Sequence, residues 1–595
     1  MTTTLPPDVA PGDQADDWTG LLLIATAGSL LSIIATGFVV GVRNDVYYLP
    51  IVHAIYDEPQ FARDAFIQSL RHFSSGLWMI LSGSAGHVDS YWLLLCLDYL
   101  SRFLTFAGFL ACATLFGVRT RQEAALFTAL LCTTSLLRGQ SLAGDGGLFI
   151  NYFTHSEIAN GLTLLMLFFL VRGRIATAIF INGLVFFINA FIAVWDGAMI
   201  AAVIIVMALA GRISWRTVAL NGTFGLALAA LPAAPVLYNI ILNADLATAL
   251  DFDYVTYLDE FWPYHFLSSD IAPREMLALA TLVTLGILAF AALGRPSRPF
   301  ITAMAAFIGV YIMGMIAPHF THSALVLNLH LLRVSTMLQL MAVLGSLVLA
   351  TRWWFAEATF FQRLLAPILV LLLCTPIKMT SVQPICNATA AMLVIAASFY
   401  PSVAARLPRW MMDQRVRFNA VALALVAVSF VGLATKNFLS NAYAESWLSE
   451  WTAIGRWASS TTDANDIFMI PIWNFRGSPV QTAAGSDLDD AILNSGMFQS
   501  VAQRSVWIDY RAGAAVMWSP SYYGEWHQRV TEVNALSSVA DKVAYAQAHG
   551  IRYVVDLCRR DPTQVPAFST RRLCVYAAEP PLHRTPLDNA QIMRP

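Results

Sequence analysis

The sequence predicts a mainly α, polytopic membrane helical bundle of about 13 spans, followed by a C-terminal extracytoplasmic α/β domain. Two observations predict the bundle: 57% of the residues are hydrophobic and only 12% are charged. A soluble domain carries about 25% charged residues. A third observation predicts the α/β domain: the chain becomes more polar after residue 436, and helical patterns alternate there with extended ones.

Thirteen apolar runs predict the membrane spans. The longer runs contain about 20 apolar residues, which is enough to cross a hydrocarbon core of roughly 30 Å. They lie at residues 21–41, 90–117, 123–137, 158–171, 176–194, 198–210, 217–242, 274–294, 300–317, 325–350, 364–377, 384–404 and 418–436.

Arginines in alternate connections predict the orientation of the bundle. They are Arg119, Arg121, Arg172, Arg174, Arg212, Arg216, Arg295, Arg298, Arg352, Arg363, Arg406, Arg409, Arg415 and Arg417. The opposite connections contain few Lys or Arg residues, so the positive-inside rule places the arginines in the cytoplasm. We therefore expect a cytoplasmic tail (1–20), a transmembrane domain (21–436) and an extracytoplasmic domain (437–595). The sequence contains no basic stripe, so nucleic-acid binding is not predicted.

The first outside loop, 43–89, concentrates carboxylates where an apolar helix meets water. Asp45 follows the first span directly, so we expect it at the membrane surface rather than in the lipid. It can serve as a chemical group there, cap a helix or pair with Arg43. Asp57 and Glu58 form a second acidic pair, although Asp-Glu-Pro is also ordinary turn chemistry.

Residues 61–81 of the same loop have apolar side chains at helical spacing. This pattern predicts an amphipathic helix on the bilayer surface, with Phe73 and Trp78 at the interface.

The C-terminal region alternates helical and extended patterns. We expect a helix that places the tryptophans at 447, 451 and 457 on one face, a strand at 467–471, a helix at 538–548 and a strand at 552–556. Gly550 is expected to end the second helix. Cys558 and Cys574 flank a turn-rich stretch, and an oxidising compartment could join them in a disulfide, although spacing alone leaves this open.

Several segments together resemble the GT-C superfamily of polytopic membrane glycosyltransferases, in particular bacterial members. They are Asn44-Asp-Val-Tyr-Tyr-Leu-Pro50, Phe61-Ala-Arg-Asp-Ala-Phe66, Phe261-Trp-Pro-Tyr-His-Phe266, Leu329-His-Leu-Leu-Arg333, and the helix and strand patterns at 447–471 and 546–555. The likeness covers most of the chain.

The resemblance implies transfer of a sugar from a polyprenyl-phosphate-linked donor to an acceptor on the outer face of a bacterial inner (plasma) membrane. A carboxylate of the first loop would be the general base. We expect Asp45 in that role, with Asp57 and Glu58 as the reserve base or as metal ligands. Arg333 would meet the lipid phosphate and His265 would position the phosphate or the acceptor.

Each of these expectations has a structural alternative. Arg333 can reach lipid headgroups instead, and His265 can be a structural histidine of an aromatic loop. Asp196 is expected at an outside helix end, either as a further substrate-binding group or as a helix cap. Asp145, in Gly144-Asp-Gly-Gly147, is expected in a tight turn.

Two other functions are compatible with the sequence. A secondary transporter or lipid flippase would show duplicated halves and charges near the bilayer midplane, whereas the charges here concentrate at the outer ends of spans. A non-catalytic GT-C-like assembly protein would keep the same scaffold. The sequence leaves open the sugar, the acceptor, the oligomeric state and the use of a divalent cation such as Mg²⁺ or Mn²⁺.

Overall fold

The computed structural model describes residues 18–355, 360–374, 382–399, 415–474, 485–558 and 564–578. The helices before the C-terminal region are α1 (Trp18–Thr36), α2 (Asp45–Val52), α3 (Ala65–Ser69), α4 (Gly76–Leu81), α5 (Ser90–Thr114), α6 (Arg121–Thr133), α7 (His155–Val171), α8 (Ile175–Ile188), α9 (Ala190–Leu209), α10 (Trp215–Leu242), α11 (Tyr254–Phe261), α12 (Pro273–Ala292), α13 (Arg298–Phe320), α14 (Ala324–Leu327), α15 (Ser335–Phe355), α16 (Phe360–Cys374) and α17 (Gln383–Phe399). Helix α18 (Arg415–Thr461) leads out of this part.

The predicted polytopic helical bundle is confirmed. Within the described residues, eight helical stretches are long and apolar enough to cross a membrane, and four shorter apolar helices accompany them. Every predicted span overlaps one of the helices, although residues 375–377 and 400–404 of two spans lie outside the described residues. Residues 1–17 of the predicted cytoplasmic tail (1–20) also lie outside them. The orientation of the bundle stays a prediction.

Helices α5 and α6 begin at residues that satisfy free backbone N–H groups of the first turn. Asp89 accepts hydrogen bonds from the first turn of α5, and Thr120 forms a capping box with Glu123 at the start of α6. Helix α15 lies at the centre of the bundle, where residues 335–351 are all buried. Gly286 of α12 lets that helix approach α15 closely, because a Cβ there would lie 2.6 Å from the Cα of Ala342.

The stretch 61–81 does not form the single amphipathic helix that its spacing predicts. It folds as α3, a 3₁₀ turn at Leu70–His72 and α4. The break falls at Ser75, which is extended and donates its hydroxyl to the carbonyl of Ile188 at the end of α8. Gly76 lies directly against the ring of Phe187, and Trp78 is 1% exposed. Trp78 stacks on Tyr48 and donates its indole N–H to Nδ1 of His155 at 3.2 Å, so it is buried instead of lying at the expected interface.

The C-terminal region is a small α/β layer. Helix α18 has 47 residues, about 70 Å at 1.5 Å per residue. The other elements are β3 (Ile467–Met469), α19 (Asp487–Leu493), α20 (Phe498–Ala502), β4 (Ser505–Val506), α21 (Tyr523–Asn534), α22 (Val539–Ala548), β5 (Tyr553–Leu557), β6 (Phe568–Ser569) and β7 (Leu573–Ala577), after a small hairpin of β1 (Gly139–Gln140) and β2 (Gly147–Leu148) earlier in the chain.

The five strands lie in the order β4-β3-β5-β7-β6. Strand β3 is parallel to β4 and β5, whereas β7 is antiparallel to β5 and β6. Trp447 and Trp451 of α18 are fully buried in the core that includes β3, β5 and β7. The predicted strands and the helix at 538–548 are confirmed within one or two residues, and that helix ends before Gly550, whose φ is +71°.

The structure joins Cys558 and Cys574 in a disulfide with a Cα–Cα distance of 4.8 Å. The two residues lie at the end of β5 and within β7, which pair antiparallel. Residue 436, where the sequence suggests a domain boundary, lies inside α18. A division of the chain there stays a prediction.

Candidate active site

Asp45 begins α2 and closes the turn that connects α2 to the end of α1. Its Oδ2 atom accepts hydrogen bonds from the backbone N–H groups of Gly41, at 2.7 Å, and Val42, at 3.2 Å. The turn needs unusual backbone conformations, with φ of +98° at Gly41 and +48° at Arg43. Asp45 is 1% exposed, and its Oδ1 atom has no hydrogen-bond partner among the described residues. One oxygen therefore builds the turn, and the other is buried without a hydrogen-bond partner among the described residues.

Burial raises the pKa of the Asp45 carboxyl to about 7, against the pull of two backbone N–H donors and of Arg511. Desolvation disfavours the charged form, whereas the donors and the guanidinium favour it. A group with this pKa exchanges a proton near neutral pH, which is the range in which a general base works best.

Arg333 lies in the 3₁₀ turn Leu331–Val334, immediately before α15. Its guanidinium makes no ion pair or side-chain hydrogen bond with the residues that the structure describes. It faces Asp145, Tyr48 and Tyr152. Arg43 is exposed and also faces Asp145 and Tyr152, again without a side-chain partner in the described part of the chain.

The turn between β1 and β2 places Asp145 beside Arg333. The N–H of Ser141 donates to the carbonyl of Gly146 at 2.7 Å, and the N–H of Gly146 donates to the Ser141 hydroxyl at 2.8 Å. The same hydroxyl lies 3.0 Å from that of Ser335, at the start of α15. These contacts fix the turn to the segment that carries Arg333.

Two glycines make this close contact possible. A Cβ at Gly144 would lie 2.3 Å from the carbonyl oxygen of Leu332, and one at Gly146 would lie 2.0 Å from Oγ1 of Thr336. Asp145 between them has a φ of +55°, a conformation that Asp tolerates better than most residues. The tight turn predicted at 144–147 is present, and it also carries a functional candidate that the sequence reasoning missed.

Burial raises the pKa of Asp145 to about 6, while Arg333 and Arg43 lower it. The carboxylate is therefore mostly ionised at pH 7 and offsets one of the two arginine charges. The spacing Gly-Asp-Gly-Gly was a usable signal, because glycines on both sides of a charged residue permit close backbone packing.

His265 connects the aromatic loop 262–266 to this turn. Its Nδ1 atom lies 3.3 Å from the carbonyl oxygen of Gly144, and its Nε2 atom lies 3.7 Å from Oδ2 of Asp145. The ring stacks on that of Trp262. Burial, followed by the charge of Arg333, holds the pKa of His265 well below its usual range, so the ring is neutral at pH 7.

Tyr48 and Tyr152 connect Asp45 and Arg333 electrostatically. Tyr48 faces both groups, and Tyr152 does so as well. Both rings are buried, and Tyr48 stacks on Trp78 at a centroid distance of 4.1 Å. Arg43, Asp45, Asp145, His265 and Arg333 thus share one neighbourhood, which we call the site cluster.

Three other candidates lie outside the site cluster. Asp57 has a side chain that is 61% exposed and forms an ion pair with Arg71 at 2.6 Å. Glu58 is also exposed. Asp196 is not at an outside helix end, because the break between α8 and α9 falls at Asn189 and places it about two turns inside α9. There its Oδ2 accepts a hydrogen bond from the Thr163 hydroxyl at 2.6 Å.

The described residues contain no group of three or more His, Cys, Asp or Glu side chains arranged to hold a metal ion. Asp57 and Glu58 therefore have no third ligand of that kind within the described ranges. The use of a divalent cation is left open by this arrangement.

No protein-family model matches the chain, and no curated protein sequence matches it. Solved structures are similar to it, and two of them are named here. One is ArnT from Cupriavidus metallidurans bound to undecaprenyl phosphate, with 13% identity, a TM-score of 0.43 and coverage of 95% of this chain and 98% of that chain. The other is the arabinofuranosyltransferase AftD from Mycobacteria, with 13% identity, a TM-score of 0.40 and coverage of 94% of this chain and 40% of that chain. At this level of similarity neither structure assigns an activity.

Proposed function

We propose that this chain is an integral membrane glycosyltransferase that moves a sugar from a polyprenyl-phosphate-linked donor to an acceptor on the outer face of the membrane. One observation carries the proposal. Arg43 and Arg333 have no side-chain partner among the described residues, and they share a neighbourhood with Asp45, whose free Oδ1 atom is buried.

The charges of the site cluster suit a phosphate group. Apart from Asp45, the two guanidinium groups and the ionised Asp145 leave one net positive charge, since His265 is neutral at pH 7. A phosphodiester between a sugar and a polyprenyl chain carries one negative charge, and a second develops as the sugar departs. Guanidinium groups bind phosphate oxygens in a bidentate manner, and a partly desolvated site strengthens that interaction.

Asp45 suits the other half of the reaction. The hydroxyl oxygen of the acceptor would attack the anomeric carbon while the bond from that carbon to the phosphate oxygen breaks. The electron pair of that bond stays on the phosphate, facing Arg43 and Arg333, and the hydroxyl proton passes to the free Oδ1 of Asp45. A carboxylate with a pKa near 7 accepts this proton more readily than an ordinary aspartate would.

The test is a transfer assay with the purified protein in liposomes and a panel of radiolabelled polyprenyl-phosphate sugars. We expect one donor to be consumed by the wild-type protein, and Asp45→Asn to lower the rate about 10²-fold or more, as loss of a general base does. Asp57→Asn is the matched control, because it makes the same chemical change in the same loop at an exposed carboxylate. It should keep the wild-type rate.

Equal activity of Asp45→Asn and the wild type would contradict the assignment of Asp45. Movement of a solute across the liposome membrane, without consumption of any donor, would favour a transporter or flippase instead.

The outer-face location rests on the arginine distribution and has its own test. A cysteine introduced at the exposed Glu58 should react with a membrane-impermeant maleimide in intact cells. Reaction only after the membrane is made permeable would place the first loop in the cytoplasm and contradict the proposal.

A further inference from the structure

A buried ion pair of the C-terminal region lies against the turn that holds Asp45. Arg511 and Asp509 bind through two hydrogen bonds, from Nε to Oδ1 at 3.0 Å and from Nη2 to Oδ2 at 2.6 Å. Both side chains are less than a tenth exposed. Nη2 of Arg511 also donates to the Ser495 hydroxyl at 2.6 Å. The guanidinium is therefore fixed in one orientation.

The free edge of this guanidinium reaches the Asp45 turn. Nη1 of Arg511 donates to the carbonyl oxygen of Arg43 at 3.3 Å, and the Tyr47 hydroxyl donates to the carbonyl oxygen of Arg511. The N–H of Arg43 in turn donates to the carbonyl of Leu493 at 3.1 Å. The left-handed residue of the turn is thus held on both of its backbone polar groups by the C-terminal region.

Packing around a glycine completes the contact. A Cβ at Gly496 would lie 2.9 Å from the carbonyl oxygen of Gly41 and 3.3 Å from the backbone nitrogen of Val46. Only a residue without a side chain allows the two backbones to lie this close. The turn and the segment 493–496 therefore form one continuous packed unit.

We infer that Arg511, held by Asp509, is a positioning residue that completes the site cluster from the C-terminal region. It fixes the backbone of the Gly41–Asp45 turn and places a positive charge opposite the Asp45 carboxyl. The inference deepens the proposed function, because the role of Asp45 as a base rests on that proposal. The C-terminal region is then a part of the active site rather than an appended module.

The charges around Asp45 predict the direction in which its pKa should change when Arg511 or Asp509 is replaced. The groups that face Asp45 are Arg511, Tyr48 and Tyr152. Arg511 lowers the pKa of Asp45, and Asp509 and Tyr47 are in turn the neighbours that face Arg511. Removing the positive charge of Arg511 should raise the pKa of Asp45. Removing the negative charge of Asp509 leaves the positive charge of Arg511 without its counter-ion and should lower the pKa of Asp45.

The test is the titration midpoint of Asp45 itself, measured on the full-length protein in detergent. Aspartate labelled with ¹³C at the side-chain carboxyl gives an NMR signal that follows ionisation, and its absence from Asp45→Asn assigns the signal. We expect Arg511→Met to move the midpoint upward by about 1 unit, the low end for loss of a nearby opposite charge. Arg511→Lys keeps the charge and should stay close to the wild-type midpoint.

Asp509→Asn should move the midpoint in the opposite direction, which a general loss of packing would not do. Gly496→Ala is the steric control: it should lower the transfer rate by disturbing the turn while it leaves the charges around Asp45 in place. If Arg511→Met fails to fold, the downward shift in Asp509→Asn still decides the question.

An unchanged midpoint in Arg511→Met or in Asp509→Asn would overturn the inference and leave the pair a purely structural one. The measurement does not depend on a donor. If the predicted shifts occur and no lipid-linked sugar is ever consumed, the electrostatic role of Arg511 stands and the proposed function fails.

Discussion

Replacement of Asp45 by asparagine should make the protein inactive and, at high pH, more stable. The substitution keeps the shape of the side chain. Its amide oxygen can accept the hydrogen bonds from Gly41 and Val42 in place of Oδ2, so the turn is retained. The amide nitrogen then replaces the unpartnered Oδ1. The change therefore removes the charge and the proton acceptor with little change in packing.

The magnitude follows from the pKa of Asp45. It rises from 3.8 to about 7 in the folded protein, and each unit corresponds to about 1.36 kcal/mol. A carboxyl with a raised pKa binds more protons in the folded state, so its contribution to stability falls as the pH rises from about 4 to about 7. Above pH 7 the full penalty of about 4 kcal/mol is present, and below pH 4 it is absent.

The assay is thermal unfolding in detergent, followed by tryptophan fluorescence at pH 4 and pH 8, for the wild type, Asp45→Asn and Asp57→Asn. We expect Asp45→Asn to have a higher Tm than the wild type at pH 8 and a similar one at pH 4. Asp57→Asn should show no such pattern, because Asp57 is exposed. A Tm for Asp45→Asn equal to or below that of the wild type at pH 8 would show that burial of the charged Asp45 carboxylate does not destabilise the fold.

Three further outcomes are expected. Arg333→Ala should weaken binding of the lipid-linked donor about 10-fold to 100-fold, since a hydrogen bond to a charged group contributes about 1.5–3 kcal/mol, while the KM for the acceptor changes little; equal losses for both substrates would count against a phosphate role. Gly146→Ala should lower both stability and transfer, because the new Cβ would lie 2.0 Å from Oγ1 of Thr336; unchanged melting and kinetics would show that the turn is not fixed to α15. Cys574→Ser should destabilise the C-terminal region by about 3 kcal/mol, as expected for a loop of this length, measured as greater urea sensitivity of the β5–β7 region in proteolysis; an unchanged sensitivity would contradict a stabilising role of the Cys558–Cys574 bond.

Two control variants accompany these changes. Arg63→Ala removes an exposed arginine of the first loop, and it should leave donor binding unchanged. Gly86→Ala adds a methyl group where no atom lies within 4 Å, so it should match the wild type in melting temperature and transfer rate.

Much of the scaffold could be predicted from the sequence because local signals determine it. Apolar runs separated by arginine-rich connections predicted the helical segments. Short extended patterns that alternate with helical ones predicted strands β3 and β5 of the C-terminal sheet. The exceptions arise where tertiary contacts, and not the local pattern, determine where a helix breaks. The pattern at 61–81 is helical, but Ser75 and Gly76 break it against the end of α8. Asp196 lies inside α9 and not at a helix end, because the break between α8 and α9 falls seven residues earlier, at Asn189.

The site was predictable only in part. Asp45 was proposed because it follows the end of the first apolar span, and His265 and Arg333 were proposed from the resemblance of their segments to the GT-C superfamily. In the structure Asp45 and Arg333 both face Tyr152, and His265 faces Arg333. Asp145 and Arg511 were missed for a physical reason. Their roles depend on partners more than a hundred residues away in the chain, Arg333 for one and the carbonyl of Arg43 for the other. The glycines around Asp145 indicate close backbone packing, but no local pattern identifies the distant partner of either residue.

The most direct test of the proposed mechanism is an experimental structure of this protein with a polyprenyl-phosphate-linked sugar bound. We predict that the phosphate oxygens lie about 3 Å from the guanidinium groups of both Arg43 and Arg333, with the anomeric carbon on the side of the free Asp45 oxygen. A phosphate bound elsewhere, or Asp45 too far from the sugar to receive a proton from an attacking hydroxyl, would contradict it.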